Sequence, residues 1–314
     1  MTVELMRDLT AALRTVSDAD DVRVVTLLGE GSVFCAGMDL EMMRDRVEAD
    51  SDVERDVFLD LLAAVESARR PVVAGIRRAA PAGAFELTLP CDLRVLGREA
   101  TYGVIEVRLG TFPHGGATQR LPRLVGLSKA KELVLTGEFV DPQEALDCGL
   151  IHEVCGDDAV DERAKALADR LSENAPLGLR NAKRALNAAL ETPLEAGLEL
   201  ERSLGRELDD TRDYREGFDA HLEDREPEFR GEGRYRRGGA GHPSPTSTTT
   251  VNSLSPSGPT TRTSKPTASR TASPARSCIA TPPSTAQSPN RLPSPLTQWS
   301  STQAPAAVPL YPTT

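Results

Sequence analysis

Acidic residues are missing from one whole end of this chain. All 47 Asp and Glu of its 314 residues lie before residue 241, while Arg262, Lys265, Arg270, Arg276 and Arg291 lie after it. The first 240 residues therefore set 32 Lys and Arg against 47 acids, a net −15, and the remainder carries +5. A body that acidic is poorly suited to coating phosphate backbones, since nucleic-acid affinity comes mainly from Lys and Arg neutralising phosphates. No nucleic-acid partner is expected. Lysine is scarce as well: the body has only Lys129, Lys131, Lys165 and Lys183. Arginine balances most of the acidity, which fits a salt-adapted source and a GC-rich genome equally.

Long hydrophobic runs are also absent. No window approaches the ~20 apolar residues of a membrane span. The opening "MTVELMRDLTAAL" lacks the basic-then-apolar order of a secretory signal. These absences predict no membrane partner and a cytoplasmic location. Cys35, Cys91, Cys148, Cys155 and Cys278 show neither metal-ligand spacing nor a paired framework. Buried thiols in a reducing compartment are expected, and no metal site.

From Gly241 onward the composition changes abruptly, and 14 of the 23 prolines lie between residues 241 and 314. A stretch such as "HPSPTSTTTVNSLSPSGPTTRTSKPTASRTASPARS" buries too little apolar surface to offset its ordering entropy. It is predicted to be disordered and non-catalytic, although it holds the only tryptophan, Trp299.

The body alternates strands with helices. "VRVVTLLG" (22–29), "PVVAGI" (71–76) and "DLRVLG" (92–97) read as short apolar strands. Amphipathic patterns separate them, and beyond residue 157 the pattern is helical almost to Gly231. "VDPQEALDCGL" carries helix punctuation: Asp141 as N-cap, Pro142 at N1, Glu144 as capping-box partner and Gly149 as the stop. Helices without a partner stripe of their own usually pack on other subunits, so oligomerisation is expected.

Two strand exits look chemical. "VFCAGMDL" leaves a strand through Cys35, Ala36 and Gly37, and "PAGAFELTLPCD" leaves another through Ala82, Gly83 and Ala84. Tight turns of small residues let backbone N–H groups face outward, where they suit an oxygen gaining negative charge. Glu86 stands one turn into the second helix, and Glu106 precedes a glycine-rich loop. Taken alone, each glutamate reads as a solvated carboxylate.

Together, "VRVVTLLGEGSVFCAGMDL", "PVVAGI…AGAFELTLPCDLRV", "YGVIEVRLGTFPHGGATQRLPRLVG", "LTGEFVDPQEALDCGLIHEV" and "EGFDAHLEDREPEF" resemble, in order, the segments of the crotonase (enoyl-CoA hydratase/isomerase) family over residues 3 to 231. The resemblance implies an α/β fold, a crotonase-type spiral of repeated ββα units with a helical C-terminal arm. It implies a spiral core over 1–190 with its first strands absent, an arm for trimerisation over 191–238, and the Ser/Thr/Pro-rich tail over 239–314. A homotrimer or homohexamer would follow, with an acyl-CoA thioester as substrate and no cofactor beyond the CoA it carries. Carried over position by position, the oxyanion donors are the N–H groups of Met38 and Gly83. The segment Ala36, Gly37, Met38, Asp39, Leu40 and Glu41 would line the CoA end.

The family's hydratases use two glutamates, which match Glu86 and Glu106. Hydration of an α,β-unsaturated thioester needs one group to take a proton from water and one to supply a proton at the α-carbon. The implied activity is an enoyl-CoA hydratase of fatty-acid or amino-acid degradation. An isomerase or other acyl-CoA lyase, and a silent CoA-binding or scaffolding member, remain alternatives.

The sequence departs from the family at several points. Arg77-Arg78 replaces Asn-Gly, Ala82-Gly83-Ala84 replaces three glycines, and Ile105 replaces proline. Alanine fits a glycine position without strain only at negative φ. Arg78 is expected to hold a CoA phosphate or to face solvent. His221 and Asp224 stand where the family has Phe and Lys, which weakens the grip on the nucleotide. The absence of the family's leading strands predicts either a misplaced start codon or an open sheet edge. His114 is a weaker candidate base, and His152 is expected to be a packed or edge residue of an apolar strand.

Overall fold

Apolar runs without polar alternation become parallel strands here, because both of their faces are covered. The computed structural model describes residues 1–49, 52–233 and 248–252. Helix α1 (Val3–Asp18) leads to β1 (Val24–Leu28), α2 (Leu40–Ala49) and α3 (Val53–Glu66). Then come β2 (Val72–Ile76), β3 (Ala79–Pro81), α4 (Gly83–Thr88), β4 (Leu93–Gly97) and β5 (Thr101–Gly103). A 3-10 turn (Glu106–Leu109) precedes α5 (Ala117–Thr136), α6 (Pro142–Asp147) and β6 (Glu153–Cys155). Helices α7 (Val160–Ser172), α8 (Pro176–Ala188), α9 (Leu194–Asp209) and α10 (Arg212–Leu222) follow, and the last described strand is β7 (Thr248–Asn252).

One sheet runs β6-β4-β2-β1-β7 and a second pairs β3 with β5, with every neighbouring pair parallel. The passes β2-β3-α4 and β4-β5-α5 repeat one order, so each turn advances the chain by one strand spacing of ~4.8 Å. Residues along the strands take opposite faces. Val25, Leu27, Val72, Ala74, Ile76 and Leu96 join the main core with Met6, Leu9 and Leu13 of α1 and Leu61, Leu62 and Val65 of α3. Val24, Leu28, Val73 and Val95 pack instead on Val160, Ala164 and Ala168 of α7. A buried pair ties α8 to the sheet: Asp92 accepts the Val72 N–H at 2.7 Å and Lys183 Nζ at 2.7 Å.

The tail differs from its predicted disorder over one stretch. Thr248–Asn252 is a strand in parallel register with β1, Val24 opposite Thr248 through Leu28 opposite Asn252. The β1 edge predicted to be open is therefore covered. An unpaired edge offers a row of N–H and C=O groups, and a Thr/Val-rich segment is a good pairing partner for it. The remaining tail, with Trp299 and Cys278, lies outside the described residues.

Other local expectations are refined. Asp141 caps α6 by accepting from Gln143 at 2.8 Å and Glu144 at 3.2 Å. Glu144 does not complete a capping box; its carboxylate pairs with Lys129. The helical run ends at Leu222 rather than near Gly231. Cys35, Cys91, Cys148 and Cys155 are free thiols. Among the described residues, no helix is long and apolar enough to cross a membrane.

Candidate active site

Adjacent layers of the spiral bring the two small-residue turns side by side. After β1 the chain runs along β3, with the Phe34 N–H donating to Arg77 O at 2.8 Å and the Cys35 N–H to Ala79 O at 3.0 Å. Gly37 then turns with φ 99°, and a β-carbon there would stand 3.2 Å from Pro81 O. One layer on, the Ala82 N–H donates to Gly103 O at 2.9 Å and α4 opens at Gly83. Among the described residues, neither the Met38 N–H nor the Gly83 N–H has an acceptor. Two unspent donors on touching turns are what a developing oxyanion needs.

The turn at α4 carries strain. Ala82 has φ 51° and ψ −126°, a conformation normally left to glycine. The expectation that alanine requires negative φ here is therefore corrected. The bond to Gly103 and the Glu86 N–H on Ala82 O at 3.0 Å hold the residue in place. Arg78 likewise has φ 58°. Its N–H donates to Asp157 at 2.9 Å and its guanidinium to the exposed Asp158 at 3.1 Å. Arg77 bonds Asp161 at 2.9 Å and Gly29 O at 2.7 Å, bracing the loop after β1.

Glu86 and Glu106 are both buried, 3 % and 8 % exposed. Burial pushes the Glu86 carboxyl up to about 7. The Ala117 N–H, which donates to its Oε1 at 3.0 Å, opposes that rise, and the charge of Glu106 adds to it. Burial also raises the Glu106 carboxyl, against the backbone N–H groups of Glu106 and Ile105. Its Oε2 is buried without a hydrogen-bond partner among the described residues. Glu106 opens the 3-10 turn that leads into the glycine-rich loop.

The 36–41 segment is mixed in exposure. Gly37 is buried, Met38 and Asp39 are half-buried, and Ala36, Leu40 and Glu41 are exposed. Asp39 accepts the Met42 N–H at 2.9 Å, which makes it a local cap at the start of α2. His114 is exposed and stacks on Phe112 with ring centroids 4.3 Å apart. His152 is exposed, just before edge strand β6, and its Nδ1 accepts the Arg94 N–H at 3.1 Å. His221 and Asp224 are exposed.

Two contributors, the Gly115–Ala117 turn and Phe58, escaped the sequence reading. A β-carbon on Gly115 would lie 2.7 Å from Glu86 Oε2 and 2.5 Å from Phe58 Cε1. The Gly115–Ala117 turn and the Phe58 ring therefore form the wall that desolvates Glu86. The glycine pair was a visible signal of close approach; Phe58 looked like any core residue.

A family model described as enoyl-CoA hydratase/isomerase matches residues 1–232. The chain belongs to the crotonase family. A 2,3-dehydroadipyl-CoA hydratase of Escherichia coli is 36% identical over 229 residues, covering 73% of this chain and 88% of that protein. An enoyl-CoA isomerase/hydratase of Mycosarcoma maydis is 37% identical over 210 residues, covering 67% and 77%. The crystal structure of an enoyl-CoA hydratase from Bacillus anthracis superposes with a TM-score of 0.67 at 33% identity, covering 74% of this chain and 90% of that one. The layered sheets are thus the crotonase spiral.

Proposed function

We propose that this crotonase-family chain is an enoyl-CoA hydratase that adds water across the double bond of a 2-enoyl-CoA thioester. The observation that carries the reading is the pairing of two buried carboxyls with upward-shifted pKa values with the unspent Met38 and Gly83 amides. Burial raises both carboxyls and the charge of Glu106 adds to the rise at Glu86, and two interacting acids of raised proton affinity can supply an acid and a base together. One carboxylate takes a proton from water as the hydroxyl bonds to the β-carbon. The double-bond electrons move to the thioester oxygen, where the two amides hold the enolate. The enolate re-forms the carbonyl as its α-carbon takes a proton from the other carboxyl. No metal or redox group enters this chemistry, and Ala36 to Glu41 would receive the CoA end.

The arm fits a homotrimer or homohexamer, because Leu194, Leu198, Phe218 and Leu222 are large apolar side chains left exposed on α9 and α10. Free thiols suit the cytoplasm.

Crotonyl-CoA hydration tests the reading. Glu86→Gln and Glu106→Gln should each lower kcat by about 10²–10⁴-fold. Double-bond migration without water addition would instead establish an isomerase, and acyl-CoA binding without turnover a silent member.

A further inference from the structure

We propose that Arg120 is a positioning residue for Glu86, acting through the Gly115–Ala117 turn and anchored by Glu66; the role rests on the hydration reading. The Glu86 carboxyl is held from outside its own helix. Its Oε1 hangs on the Ala117 N–H at 3.0 Å, and its Oε2 lies against Gly115. Where that turn goes, the carboxyl follows.

The turn needs an external hold. Gly116 has φ 94° and caps α5 with no side-chain bond of its own. Arg120 supplies the hold with one guanidinium. Its Nη1 donates to Gly115 O at 2.9 Å, while Nε and Nη2 donate to Glu66 at 3.2 and 2.7 Å. The group lies directly on the turn: a β-carbon on Gly116 would stand 2.3 Å from Nη1. Glu66 ends α3, the helix that also carries Phe58. The ion pair therefore ties the start of α5 to the element that walls the site. A planar fork can serve a carbonyl and a carboxylate at once, and an ammonium cannot do so in that geometry.

The charged groups that bear on the Glu86 carboxyl are Glu106, which raises its pKa, and Arg120, which lowers it. Loss of Arg120 therefore both frees the turn and moves the Glu86 titration to higher pH. Any rate limb that follows Glu86 rises with it, whether the carboxyl acts as acid or as base.

The test uses the full chain. Carboxyl titration is followed by 13C NMR, with the Glu86 signal assigned by its loss in Glu86→Gln, alongside kcat and KM for crotonyl-CoA across pH. Arg120→Gln should lower kcat by about tenfold or more while KM changes less than about threefold, as expected when a reacting group is misplaced. The Glu86 titration should move upward. Arg120→Lys should restore the titration in part and kcat little. Glu66→Gln, at a half-exposed carboxylate, keeps the Arg120 charge and loosens its anchor, so it should lower kcat in the same direction by less, and its kcat and KM carry the test if Arg120→Gln does not fold. An unmoved Glu86 titration in Arg120→Gln, or a raised KM with kcat intact in Arg120→Gln or Glu66→Gln, would overturn the proposal. A wild-type chain that does not hydrate crotonyl-CoA would overturn the hydration reading instead, while the titration would still decide the role of Arg120.

Discussion

Gly83 and Met38 stand so close that a β-carbon on the glycine would lie 2.9 Å from Met38 Cγ and 3.5 Å from its Sδ. The two residues come from different layers of the spiral and meet at the turns that carry the two amides. Gly83→Ala should push Met38 aside and lower kcat for crotonyl-CoA by about 10²-fold, the usual cost of losing one oxyanion donor. Adding Met38→Ala to that variant removes the clashing carbon and should recover part of the rate. A double variant no faster than Gly83→Ala would refute the steric account.

Glu86 ties stability to pH. Its carboxyl has an ordinary value of 4.5 in the open chain and about 7 when folded. The folded protein holds the proton more tightly, so the contribution of Glu86 to stability is full below pH 4.5 and is lost as pH rises through 7. The full swing corresponds to about 3 kcal/mol. Glu86→Gln keeps an acceptor for the Ala117 N–H and carries no charge. Its melting temperature relative to wild type should be clearly higher at pH 8 than at pH 5. A constant difference between the two pH values would contradict the shift.

Ala82 offers a stabilising change. A left-handed conformation costs an L-residue roughly 1–2 kcal/mol, and glycine would relieve it while adding up to about 1 kcal/mol of unfolded-chain entropy. Ala82→Gly should therefore raise the free energy of unfolding by about 0.5–1 kcal/mol, read from urea denaturation midpoints at constant slope.

Lys183 tests a buried ion pair instead of the chemistry. It is 7 % exposed and meets Asp92 at 2.7 Å. Removing the cation in Lys183→Ala leaves a largely buried carboxylate beside β2 that keeps the Val72 N–H, at a cost of about 3 kcal/mol. Denaturant unfolding measures the loss. A Lys183→Ala protein as stable as wild type would show that solvent replaces the ammonium at no cost.

Much of this molecule was written locally. Three of the sheet's strands, the cap at Asp141 and the small-residue exits at Cys35 to Gly37 and Ala82 to Ala84 follow from runs of apolar residues, capping chemistry and side-chain size. Each depends only on near neighbours in the chain. The acidic body and the candidate glutamates were legible too, the latter only through five ordered segments resembling one family.

Folding alone decided which local pieces meet. Phe58, Gly115 and Arg120 gained roles because α3 and the start of α5 converge on Glu86 from far apart in the chain. Thr248–Asn252 became a strand because β1 had an edge to share. Ala82 took a glycine's conformation because the layer beside it dictated the direction of the turn. Burial, and with it the proton affinity of Glu86, is a property of surroundings assembled from distant segments, so no linear pattern of residues contains it.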